Sequence, residues 1–114
     1  MRKQVSVLIA TVVALGMMST TASAEVRKGQ NTYLKKCKRC HSNGTKGSAL
    51  KTQSEWLDLF ANDGEKLIKA HMSDTVDAKG QKYFKSERFK KKAPHLKDFL
   101  WQYGSDSGNV PSCG

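Results

Sequence analysis

Several stretches of the chain repeat apolar residues at helical spacing between polar breaks. Gly29, Tyr33 and Cys37 recur at intervals of four, one stripe on a helix expected from about Val26 to Arg39. Trp56, Leu57 and Phe60 give an apolar face to a second segment that opens after Ser54, with Glu55 in its first turn suiting the helix dipole. Asn62-Asp63-Gly64 breaks it, and a short helix is expected from there to about Met72, with the methionine in its last turn. Leu96, Phe99, Leu100 and Tyr103 obey the i, i+3, i+4, i+7 rule, with Pro94 near the start and Gly104 just past the end. The stretch YFKSERFKKKAP before them, residues 83–94, reads as a basic connecting segment that turns Tyr83, Phe84 and Phe89 inward and leaves its lysines outside. Gly29 allows a second helix to approach, so Gly29 and Tyr33 are expected to pack on Leu100 and Tyr103. The tail, rich in Gly, Ser, Asp and Pro, reads as extended or mobile.

The first residues set a different pattern. Arg2 and Lys3 precede an apolar run from Val5 to about Met18, and Ala22-Ser23-Ala24 comes next with the small-x-small signature of a cleavage site. The run is shorter than the roughly 20 residues a helix needs to cross the hydrocarbon core. The expectation is a cleaved signal peptide over residues 1–24, a domain over 25–104 and a C-terminal tail over 105–114. It implies an exported, periplasmic protein that does not span the membrane.

About 90 residues remain after such cleavage, and a chain that short buries too little surface to be comfortably stable without a staple. The formal charge is +10, of which Arg2 and Lys3 contribute two, so the remainder keeps +8 and favours acidic partner surfaces. The lysines are scattered rather than packed into a dense tract, and export argues against nucleic acid as a target.

Chemistry concentrates in KKCKRCHSNG, residues 35–44. A zinc site would need more donors at close spacing than Cys37, Cys40 and the distant Cys113 provide. A thiol redox pair would need a strand before it and a helix opening at it, whereas a helix is already running upstream. The remaining chemistry of C-x-x-C-H is haem attachment: Cys37 and Cys40 add to the two vinyl groups and His41 reaches the iron from the proximal side.

With that motif and the two helical stripes in hand, the sequence resembles class I monohaem cytochromes c of the small periplasmic type. The likeness lies in the Gly29-x-x-x-Tyr33-x-x-x-Cys37-x-x-Cys40-His41 spacing and in the C-terminal Leu-x-x-Tyr helix. It implies an all-α, cytochrome c-like fold of about four helices around one covalent haem c, with the N- and C-terminal helices crossing. It implies an electron carrier rather than an enzyme. The family's proline after the haem loop is absent from GTKGSAL, where the Ser48 carbonyl is the substitute considered for the proximal histidine. Trp56 reads as core, with a hydrogen bond to a haem propionate as the alternative.

The sixth iron ligand stays open among three residues. The resemblance makes Met72 the first candidate, the one thioether outside residues 1–24; His71 beside it is the second, and His95 the third. Adjacent helical residues point about 100° apart, so Met72 and His71 exclude each other; His71 competes if it shares a face with Leu67. Lys35, Lys36, Lys38 and Arg39 flank the motif and are expected to steer a transient, acidic redox partner. The other reading is a haem subunit or sensor with an open or weakly held sixth position, acting on a sulfur compound or small gas. Cys113 would serve there, or as a link between two copies.

Overall fold

The computed structural model describes residues 24–112, which leaves the expected signal peptide, apart from Ala24, and Cys113 outside the described residues. Among these residues the fold is all-helical. Helix α1 covers residues 24–36; α2 is Lys38–His41, α3 Gly44–Ser48, α4 Gln53–Ala70, α5 Ala78–Phe84 and α6 Glu87–Gln102.

The stripe of α1 meets α6 at close range. A Cβ on Gly29 would fall 1.9 Å from the His95 carbonyl oxygen and 2.8 Å from Phe99 Cβ, so only glycine admits this crossing. One turn on, the Tyr33 ring lies 5.8 Å from that of Phe99, which in turn packs at 5.4 Å on Tyr103. The crossing thus centres on His95 and Phe99, one turn earlier on α6 than the Leu100 and Tyr103 expected from the stripe.

Helix α6 also starts earlier than its proline implies. Ser86 caps it by accepting from the Phe89 amide, Glu87 occupies the first turn, and Pro94 sits inside the helix on its exposed side. The buried stripe Phe89, Ala93, Leu96 and Leu100 explains why: an apolar face about three turns long outweighs the one backbone hydrogen bond that proline removes. The expected basic connector over 83–94 is therefore the end of α5, a two-residue cap and the first half of α6. Phe89 and Phe99 are wholly buried there.

Helix α4 is two helices joined at a kink. Asn62, Asp63 and Gly64 all take positive φ, with values of 53°, 59° and 80°, a conformation that asparagine, aspartate and glycine tolerate best. The first half is capped at Thr52 rather than Ser54: Thr52 accepts from the Glu55 amide at 3.2 Å and Glu55 accepts from the Thr52 amide at 3.0 Å. The second half ends at Ala70, with His71 as its C-terminal cap, so Met72 lies beyond the helix rather than in its last turn.

The tail past Gly104 is tied down. Asp106 accepts from the Gln53 amide at 2.8 Å, satisfying a free donor at the start of α4, and the Ser105 amide donates to the Lys51 carbonyl at 3.0 Å. Pro111 is buried, and Gln30 on α1 donates to the Ser112 carbonyl at 2.9 Å.

Candidate functional site

Helical backbone continues through the cysteine motif. The Cys37 amide donates to Tyr33 O at 2.8 Å and the His41 amide to Cys37 O at 3.0 Å, so the two thiols and the imidazole share one helical turn. Ser42, at φ 69°, ends that turn. The Tyr33 hydroxyl fastens the backbone just beyond it, lying 3.0 Å from Ser42 O and 3.2 Å from Asn43 O. Gly47 lets it reach that far, because a Cβ there would come within 1.8 Å of the hydroxyl oxygen.

This turn forms one wall of a cavity of about 470 Å³, within the size range of small-molecule and cofactor sites. Cys37, Cys40 and His41 line it; Trp56, Leu67, Phe84 and Leu100 supply much of the apolar remainder, and Lys36, Arg39 and Lys51 supply cations.

The second histidine of the cavity is His71. Its ring centroid lies 5.9 Å from that of His41, with the planes 80° apart. Nδ1 of His71 is 2.7 Å from the Leu67 carbonyl, and the ring stacks on Phe84 at 3.9 Å and 17°. Leu67 and His71 do share a face, and both line the cavity. Met72 is half-buried against the apolar core and does not line it. His95 does not line it either and sits beside the Glu25 carboxylate at the α1–α6 crossing.

Burial, reinforced by Cys40, pushes the Cys37 thiol up to about 12. Among the described residues no cluster of three or more His, Cys, Asp or Glu is arranged to hold a metal ion. His41 is exposed as a residue, yet its ring stands at the cavity wall; desolvation there, and then His71, lower its pKa and favour the neutral imidazole. A neutral imidazole has the lone pair that a metal ligand requires.

Other expected residues have different partners. The Trp56 indole N–H donates to Ser48 O at 2.8 Å, so the tryptophan acts as buried core and the serine carbonyl is engaged by it. Of the three aromatics expected to turn inward, Phe84 lines the cavity while Phe89 is deep core. Tyr83 stands behind them: its hydroxyl, pushed up to about 12 by burial and then by Cys37, finds no hydrogen-bond partner. Of the four cations around the motif, Arg39 forms a bidentate pair with Asp77 at 2.5 and 3.2 Å, and Lys36 lies 5.1 Å from the centre of the Tyr83 ring.

Asp77 was not among the expected site residues. It caps α5 by accepting from the Gly80 amide at 2.8 Å and, through Arg39, ties the segment after His71 to the cysteine turn. The Asp77-x-x-Gly80 spacing was the available signal. No family model matches this chain, and neither does any curated protein or solved structure.

Proposed function

We propose that this protein is a c-type cytochrome, an exported carrier of single electrons. Cys37 and Cys40 would hold a haem covalently and His41 would be its proximal ligand. The observation that carries the reading is the placement of all three donors on one helical turn that forms a wall of an apolar cavity.

The donor set fits the group. The Cys37 and Cys40 thiols would each add across a vinyl double bond, sulfur to one carbon and hydrogen to the other, with no leaving group and no net redox change. A thioether carries no charge, so the burial that opposes a Cys37 thiolate does not oppose the product. Bound haem supplies one-electron cycling of iron between its ferric and ferrous states. The chain's own residues hold and shield it: Trp56, Leu67 and Phe84 keep water from one side, and Tyr33 fixes the turn carrying His41. Lys35, Lys36 and Lys38 are exposed beside the motif and give an acidic redox partner a salt-dependent path of approach. Among the described residues no helix is long and apolar enough to cross a membrane.

The test is the visible absorption of the protein purified from the periplasm of a host that attaches c-type haem. The reading expects sharp absorption bands in the reduced protein that survive acid–solvent extraction, and their loss when Cys37 and Cys40 are both changed to serine. A preparation without those bands, from cells that colour a control cytochrome, would reject it.

A further inference from the structure

We propose that His71 is the second axial ligand of the iron, opposite His41, and that Met72 is not a ligand; this rests on the haem reading above. Two imidazoles bound to one metal from opposite faces hold their ring centroids about 6 Å apart, two metal–nitrogen bonds of about 2 Å plus the ring radii. His41 and His71 both line the cavity with their ring centroids 5.9 Å apart.

An edge-to-face aromatic contact would have a similar separation. The surroundings of His71 favour ligation instead. A backbone carbonyl only accepts, so the Leu67 oxygen at 2.7 Å takes a hydrogen bond from Nδ1 and leaves Nε2 as the ring nitrogen that could turn to a metal. Metal-binding histidines have this support as a rule, because the outer hydrogen bond sets both tautomer and ring orientation. Stacking on Phe84 holds the ring plane, and the end of α4 holds the backbone. Met72, by contrast, lies past that end and packs on the core. To bring its sulfur opposite His41 the chain would have to rotate by about one residue, and His71 would then lose both Leu67 and Phe84.

Two nitrogen ligands do not favour ferrous iron as a thioether does, so the carrier works at a lower potential than a His/Met site would give it. The Arg39–Asp77 pair closes the same segment over the cysteine turn and restrains the His71 side of the cavity.

The experiment uses the matured, haem-loaded protein and compares Met72→Leu, His71→Ala and His71→Met by electron paramagnetic resonance, absorption and redox titration. Met72→Leu is expected to leave the low-spin ferric signal and the potential unchanged. His71→Ala is expected to lose the low-spin signal and recover it on adding free imidazole. His71→Met, the variant that keeps a ligand in place, is expected to stay low-spin at a raised potential. Loss of the low-spin signal in Met72→Leu overturns the proposal, and so does its persistence in His71→Ala without imidazole. A wild-type protein that carries no haem is a different outcome: it rejects the haem reading itself, and this proposal with it.

Discussion

Replacing Gly47 by alanine isolates the contact that positions the cysteine turn. Gly47 lies within α3, where alanine is normally favoured over glycine by about 1 kcal/mol. Here the added Cβ would meet the far end of the Tyr33 ring, at 1.8 Å from the hydroxyl oxygen, 2.3 Å from Cζ and 2.7 Å from Cε2. Tyr33 is only 2% exposed and has little room to retreat. Overpacking of that kind costs about 1–3 kcal/mol. The displaced hydroxyl also forfeits its bond to the Ser42 carbonyl, about 1 kcal/mol more. The net loss after the propensity gain is about 1–3 kcal/mol, a fall in Tm on the order of 5–20 °C for a domain of this size. All three contacted atoms disappear in Tyr33→Leu. In that background Gly47→Ala should change sign and stabilise by about 1 kcal/mol. Guanidinium titrations followed by helical circular dichroism measure all four corners of the cycle. A Gly47→Ala protein as stable as its parent, or an equal loss in both backgrounds, would refute the packing argument.

Three further outcomes are expected. Gly29→Ala should lose about 3 kcal/mol or more in the same titrations, because its Cβ would strike the His95 backbone, which cannot swing aside as a side chain can. Thr52→Ala should cost about 1 kcal/mol by removing half of a reciprocal capping box. The Asp77 carboxyl, held down to about 2 by its hydrogen bond from Arg39 and then by the Gly80 amide, should titrate near that value by carbon NMR and move up towards the ordinary 3.8 in Arg39→Ala. A depressed carboxylate stabilises the fold above its unfolded pKa. The Arg39–Asp77 contribution should therefore be complete at neutral pH and fade as pH falls from about 4 through 2.

Patterns within a few residues of one another were readable from the chain alone. The α1 stripe, the break at Asn62–Gly64 and the apolar face of α6 are local periodicities, and each corresponds to an element of the fold. The start of α6 was not readable from Pro94, because a proline on a solvent-facing position is tolerated when Phe89 and Ala93 are buried on the other side. Thr52-x-x-Glu55 was a legible capping box overlooked in favour of Ser54. Helix α5 is short and lightly apolar; its Asp77 cap gains meaning only once Arg39 arrives from α2.

The choice between His71 and Met72 was of another kind. Both are neighbours in sequence, and the helical period says only that they diverge. Which one faces His41 depends on how the second half of α4 is rolled against the cysteine turn, and that roll is set by Leu67 on the cavity wall and by Phe84 from α5. Such long-range packing leaves no periodic trace near residue 71. The contact of the tail was unreadable for a related reason: nothing in its glycine- and serine-rich composition says that Asp106 meets a helix start 53 residues away.

The proposed function rests on one claim, that Cys37 and Cys40 bond the chain covalently to a porphyrin. Intact-mass spectrometry of the exported protein under denaturing conditions tests it most directly. The account predicts a polypeptide heavier than its bare chain by one haem, with both thiols of the motif blocked to alkylation. A mass equal to the bare chain, with Cys37 and Cys40 free to react or joined as a disulfide, would contradict it.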